Sequence, residues 1–432
     1  MTYSAFTGWA DTPADVLPAL EGDTECDVAV VGGGLGGMAT ALRLVERGVD
    51  VVLIEAGVCG AGASSRNAGQ LTNAPAGDPQ ILSTMHPRRF RDVVRFAEGA
   101  VPFVEGLLDR FDIDCGYERT GNLMAAVSKG QLRKAKRNTQ ILQKAGADAE
   151  FVEGGDFGVP EGILGGSFER GGGTLNPGLL AFGVRKALRG AGVRVFERTP
   201  VRAVESHGGS VHLSTPRGRV RAGRVVLATN AHSRDLAFAP KRLAAPVWVS
   251  MAETEPIAPE RLEATGWTSR AGLVTLHNLM QSFRITPRGT IAFGVRRLQL
   301  AHSALGSRQP DPSVVADLTR GFHDRFPSLR DVAVERAWGG WIAMTPSWLP
   351  VVGESTKNVF YSIACNGHGL AQAPYLGALL ADRLAGDELH DDLAPLWRDR
   401  PRFAPSPFLN SATLTAGWMA DRLADRLNRG RS

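Results

Sequence analysis

Residues 26–55 read CDVAVVGGGLGGMATALRLVERGVDVVLIE, and no other stretch restricts the fold as much. CDVAVV is a β-type run, MATALRLVERG a helical stretch, and VVLI at 51–54 a second apolar strand ending in Glu55. Together they form a strand–turn–helix–strand unit of about 30 residues. Gly32, Gly34 and Gly37 fit the G-x-G-x-x-G spacing between strand and helix. The first glycine permits the tight turn, the second admits a pyrophosphate to the backbone, and the third lets helix and strand pack closely. Unpaired N–H groups and the positive dipole end of the helix then face the phosphates. Glu55, 18 residues after Gly37, is placed to accept hydrogen bonds from ribose hydroxyls. The unit therefore predicts a dinucleotide site.

The remaining chain narrows the class by exclusion. A length of 432 residues with 43% hydrophobic and 22% charged residues suits an ordinary globular protein with room for two domains. No apolar run reaches the roughly 18–20 residues that cross a bilayer. The start, MTYSAFTGWADTPADVLPALEG, lacks a basic stretch followed by an apolar one, so a cytoplasmic location is the expectation. The net charge of +5 is scattered among acids, which argues against nucleic-acid binding. Cys26, Cys59, Cys115 and Cys365 make no CxxC pair and read as free thiols, with Cys59 as a filler rather than a flavin attachment point. The histidines show no metal-ligand spacing.

Two further stretches carry chemistry. GAGASSRNAGQ at 60–70 is too polar for a core strand and too rich in glycine for a helix interior. Ala63, Ser64, Ser65, Arg66, Asn67 and Gln70 there can line phosphates and a heteroaromatic ring edge, the alternative being a surface loop. ACNGHGLAQAP at 364–374 follows the apolar strand NVFYSIA and opens an amphipathic helix. Pro374 is tolerated without a break in the first turn, so the helix is expected to begin around Gly369–Ala371. Gly367 and Gly369 permit close approach, and with His368 and Leu370 they mark a helix start suited to a negatively charged ring edge. A Cys365–His368 nucleophile lacks an orienting third group and an oxyanion hole. His368 itself reads either as a hydrogen-bonding residue or as a base.

VVGGGLGGMATALRLVERG, VVLIEAG and GAGASSRNAGQ together resemble the start of the FAD-dependent D-amino-acid and amine oxidase (DAO) family, which includes glycine and sarcosine oxidases. With WGGWIAMTPSWLPVVGE and NVFYSIACNGHGLAQAPYLGALLADRLAG added, the chain is similar above all to the γ-glutamylputrescine oxidoreductase branch. The match runs in order along nearly the whole chain and is loose over 87–165 and 241–335.

The resemblance implies an α/β fold, α+β overall: a Rossmann-like FAD-binding domain with an interleaved β-rich substrate domain. The first would comprise 1–86, 166–240 and 336–432, the second 87–165 and 241–335. It also places Val201 near the adenine, Thr229 in a turn near the flavin's phosphate and ribitol side, and Trp338 and Gly339 beside the isoalloxazine ring. Trp338 and Trp341 equally read as core aromatics.

The activity implied is oxidation of a C–N bond in an amine or amino acid, by hydride transfer to flavin N5. The imine then hydrolyses, and O2 or another acceptor takes the electrons. A 2-hydroxy-acid substrate, or a flavin subunit without catalysis of its own, are the alternatives. WGGWIAMT has no cysteine where sarcosine-oxidase relatives attach flavin, so FAD is expected to be non-covalent. No lysine lies between Lys241 and Lys357 to promote reaction with oxygen, leaving Arg284, Arg296 or His277 for that charge. Arg284 is also the candidate clamp for a substrate carboxylate, or else a surface arginine on a strand. The segment TLTAGWMADRLADRLNRGRS forms an amphipathic basic helix, to be packed on the fold or set against a membrane or partner.

Overall fold

A computed structural model describes residues 1–4, 7–301, 304–306, 308–399 and 411–429, without the side chains of 428 and 429. Its first sheet is built around the opening unit: β1 (Thr24–Val31), α1 (Leu35–Glu46) and β2 (Val51–Ile54). Three later strands complete the parallel part, β3 (Arg194–Phe196), β4 (Arg219–Leu227) and β5 (Val359–Ile363). Their order is β3-β2-β1-β4-β5, all parallel. Such strands are covered on both faces, which is why they read as unbroken apolar runs. One face packs Val28, Val30 and Leu53 against Met38 and Leu42 of α1. The other packs Ala29, Val31 and Val52 under the hairpin formed by Ala203–His207 and Ser210–Ser214.

α2 (Gly369–Leu384) lies across α1 at very close range. A Cβ on Gly377 would stand 2.3 Å from the Gly36 carbonyl oxygen, and the Thr40 hydroxyl donates to the Gly377 carbonyl at 3.1 Å. Pro374 departs from expectation, because it is the sixth residue of α2 rather than part of the first turn. There its ring nitrogen has no hydrogen for the Leu370 carbonyl, so the start of the helix is held by other contacts. Gln372, for one, donates its side-chain amide to the Ala74 carbonyl at 3.0 Å.

The second sheet has nine strands, mostly antiparallel. In order they are Thr2–Tyr3, Val334–Met344, Ala245–Thr254, Ile291–Leu300, Gln281–Ile285, Gly272–Thr275, Asn122–Ala125, Gly165–Glu169 and Ala149–Glu153. Residues 166–169 and 336–344, grouped by the sequence reading with the nucleotide-binding part, pair in this sheet. An aromatic cluster of Phe283, Phe293, Phe322 and Phe326 fixes the helix Pro312–Arg325 beneath it.

Glu169 is buried in this sheet, and its carboxylate accepts from the Thr72 hydroxyl. Burial pushes its carboxyl up to about 7, with Glu98 adding to the effect and the Thr72 bond opposing it. A raised carboxyl favours the folded state at low pH and loses that contribution as pH climbs from about 4.5 through about 7. Between pH 5 and pH 8 the wild-type protein should lose about 2–3 kcal/mol that Glu169→Gln retains. Urea unfolding at the two pH values measures it, and identical pH slopes would reject the assignment.

Candidate active site

Gly32 has φ +111° and lies on the backbone of Ala228 and Thr229, where a Cβ would come within 2.7 Å of the Ala228 carbonyl oxygen. Gly37 packs tighter still, 2.0 Å from its own would-be Cβ to the Gly32 oxygen. The Glu55 carboxylate accepts the Gly33 and Gly57 N–H groups, each at 2.7 Å. Burial raises its carboxyl and the two amides oppose the rise. A carboxylate has about four acceptor sites, so hydroxyls can still be received.

The 60–70 segment folds over the end of α1. Ser64 accepts the Leu35 N–H at 2.9 Å, supplying an N-terminal partner that Gly34 has no side chain to give. Asn67 donates to the Ala63 and Ser64 carbonyls and accepts the Gly69 N–H, holding the loop shut upon itself. Arg66 reaches the Ala61 carbonyl at 2.9 Å and the Gly339 carbonyl at 3.0 Å. Gln70 donates to Leu273 and Phe283 in the second sheet. Ser65 is buried, and its hydroxyl has no partner among the described residues.

A segment with no sequence signal completes this wall. Thr7 donates to the Ser65 carbonyl at 2.6 Å and Trp9 to the Asn67 carbonyl at 2.7 Å. Trp338, fully buried, donates to the Arg66 carbonyl at 3.0 Å and meets Trp9 edge-on at 5.3 Å. Thr7 and Trp9 sit in a stretch without periodicity or motif, so only the fold identifies them. Gly339 is required by packing, since a Cβ there would meet the Trp248 ring at 2.5 Å.

The opposite wall is the turn into α2. Ala364, Asn366 and Gly367 all have positive φ, at 67°, 51° and 86°. Two non-glycine residues in that region store strain, which the Asn366 side chain offsets by accepting the Thr345 N–H at 2.7 Å. Gly369 is held to Cys365 so closely that a Cβ would reach its sulfur at 2.4 Å. Burial raises the Cys365 thiol, the wrong direction for a thiolate nucleophile. His368 caps the helix, half-buried. Desolvation lowers its imidazole, outweighing the Asn366 carbonyl, so it is neutral at pH 7.

Between the walls lies an open cleft with an enclosed volume of about 100 Å³. Gly34, Ala63, Ser64, Asn67, Gly367, Gly369 and Leu370 line it, together with Ala228 and Asn230 from the turn expected near the flavin and with Ile342 and Pro350. Thr229 stands beside it, with its hydroxyl on Ser233 at 2.7 Å. Val201 is buried just beyond β3.

Two candidates belong to other networks. His277 is buried between the Thr275 hydroxyl at 2.8 Å and the Asp425 carboxylate at 3.1 Å, in contact with the helix Ser411–Arg429 rather than on the cleft lining. Arg284 is no surface arginine: it is 2% exposed, its Nη1 donates to the Gly69 carbonyl at 3.1 Å and to that of Leu175, and its plane lies over the Trp9 ring at 4.3 Å. Burial brings its pKa down to about 10, and its Nε is unpaired among the described residues.

The ends of α1 and α2, a glycine turn at the edge of a parallel sheet, and an attached antiparallel sheet define a dinucleotide-binding oxidoreductase fold. The chain belongs to the DAO family of FAD-dependent oxidoreductases, whose model matches residues 27–383. It is 29% identical over 374 residues to the gamma-glutamylputrescine oxidoreductase of Escherichia coli (strain K12), covering 84% of each chain. To the glycine oxidase of Geobacillus kaustophilus (strain HTA426) it is 26% identical over 383 residues, 85% of this chain and 95% of the relative. The crystal structure of glycine oxidase from Geobacillus kaustophilus matches with a TM-score of 0.75 at 21% identity, over 88% of this chain and 99% of that one. The L-amino acid deaminase from Proteus vulgaris matches at 0.71 and 20%, over 92% and 100%.

FAD fits the residues present. The glycines that bring backbone N–H groups to the cleft, the Ser64 side chain on its lining and the two helix ends are what a dianionic, ring-bearing cofactor needs.

Proposed function

We propose that this chain oxidises the C–N bond of an amine or amino acid. The observation carrying the reading is the convergence of the N-termini of α1 and α2 on one cleft. FAD held there non-covalently supplies a two-electron acceptor for hydride from the substrate's α-carbon, and the imine product hydrolyses in water. The first helix end, with Gly34, Gly36 and Ser64, would serve the pyrophosphate, and Glu55 the ribose. The end at Gly369–Ala371 would set the positive end of the helix dipole against the ring edge where negative charge grows, and a neutral His368 leaves that field unperturbed. Ile342, Pro350 and Leu370 are apolar lining that keeps water from the reacting carbon. The nine-stranded sheet, drawn largely from 87–165 and 241–335, forms the substrate side. Relatives named for γ-glutamylputrescine and glycine support an amine or amino-acid substrate.

The cations considered for oxygen activation favour an acceptor other than O2. His277 faces Asp425, and Arg296 is paired with Asp317 at 3.2 Å and Asp425 at 2.9 Å. Arg284 is the one of the three without a carboxylate partner among the described residues, and its Nη1 is spent on two carbonyls.

Anaerobic mixing of the flavin-loaded enzyme with amines, amino acids and 2-hydroxy acids tests the reaction. Bleaching by an amine is the expected result; bleaching by hydroxy acids alone, or by nothing, would replace it with one of the alternatives. Slow return of colour in air is expected for the acceptor assignment.

A further inference from the structure

The helix Ser411–Arg429 docks on the second sheet by its acidic side. Asp421, 6% exposed, accepts the N–H groups of Asn278 and Leu279 at 3.1 and 2.8 Å. Asp425, 3% exposed, takes His277, Arg296 and Arg325. Burial would raise this carboxyl, but those partners hold it well below the ordinary carboxylate range. At 100° per residue the opposite side carries Ala416, Met419, Ala420, Leu423 and Leu427. Met419, Leu423 and Leu427 are 58%, 58% and 65% exposed, one above another at four-residue spacing.

One flank of this stripe carries Arg422 and Arg426. They line a cleft of about 130 Å³ with Arg296, Arg320, Asp324 and Asp425, and the buried Asp317 pairs with Arg296, Arg320 and Arg422, so that four cations stand against three acids. Both acids of the helix thus face inward, while its outward side is apolar and positive. A water-soluble helix docked for stability alone would be arranged the other way round, with apolar residues inside.

We infer that this face binds the surface of a membrane rich in anionic lipid. The stripe enters the acyl boundary, and the arginine-lined cleft receives phosphate headgroups. Charge complementarity selects this occupant. An antiparallel two-fold pairing with a second copy would set the arginine flanks against each other with no exposed acid of the helix to answer them.

Flotation of the flavin-loaded full chain with phosphatidylcholine vesicles, with and without phosphatidylglycerol, tests the inference. Binding should be at least about tenfold stronger to the anionic vesicles and fall with added salt. Leu423→Glu should weaken it about tenfold or more and Arg426→Gln about fivefold. Both side chains face solvent, so flavin spectrum and melting temperature should not change; Leu427→Ser serves as a second reporter should Leu423→Glu disturb the fold. Equal binding to both vesicle types, no binding, or indifference to the substitutions would overturn the inference. So would sedimentation showing a dimer that Leu423→Glu dissociates, which would assign the stripe to a second copy.

Discussion

Gly37→Ala should yield a protein that no longer retains flavin through purification. The new methyl would stand 2.0 Å from the Gly32 carbonyl oxygen and 3.1 Å from the Ala228 side chain. The first contact is with backbone in the tight turn itself, which cannot rotate away as a side chain would. α1 must therefore move off β1, carrying its N-terminal amides from the position where they meet the pyrophosphate. Overpacking of this kind costs about 1–3 kcal/mol, and the same displacement should lower FAD affinity about tenfold to a hundredfold. Gly106→Ala is the matched control. Gly106 lies inside the helix Phe90–Phe111 with nothing within 4 Å of its would-be Cβ, so alanine there should stabilise by about 0.5–1 kcal/mol and leave flavin content unchanged. Flavin-to-protein absorbance ratios and FAD titrations read both variants. Full flavin retention by Gly37→Ala would refute the close-packing argument.

Arg185→Met is expected to destabilise the fold by about 3–5 kcal/mol, the penalty for leaving a buried carboxylate uncompensated. Arg185 and Glu197 are 3% and 0% exposed as side chains and joined by two hydrogen bonds, at 2.7 and 2.9 Å. Glu197 also accepts the Cys59 and Leu17 N–H groups, so the pair anchors the turn that leads into the 60–70 loop. Burial would raise the Glu197 carboxyl, but Arg185 and the amides bring it below the ordinary value. A depressed carboxyl stabilises above its unfolded pKa of about 4.5, and that contribution is lost as pH falls through the folded value. The defect in Arg185→Met should therefore be largest at neutral pH and shrink toward pH 4, where Glu197 can take up a proton. Urea midpoints across that range measure it; a defect independent of pH would mean that lost packing rather than charge is responsible.

Much of the nucleotide-binding half was legible in the chain. The strands at 26–31 and 51–54 and the helix between them appear where periodicity placed them, and α2 starts at Gly369, within the expected Gly369–Ala371. These elements are specified locally, by apolar spacing, glycine and caps. The loop Ser64–Asn67 was legible as polar and glycine-rich, but its bonds point largely to itself and to Leu35 and Gly339, a pattern set by the tertiary approach of distant strands. Arg284 and His277 were drawn to the site by their chemistry. Burial and partners place one beneath Trp9 and the other on Asp425.

By itself the sequence determined the βαβ unit, its glycine turn and the acid that follows it. Each is a short-range consequence of residue type, because a tight turn, a helix end and a buried strand need particular residues at particular spacings. The tertiary structure alone decided that α2 crosses α1 at Gly36 and Gly377 so that two helix ends share one cleft, that Thr7 and Trp9 close its wall, and which side of the helix Ser411–Arg429 faces out. Those facts depend on contacts between residues tens to hundreds of positions apart, and no local pattern encodes them. Amphipathic spacing shows that a helix has two sides; only its docking shows which one the protein buries.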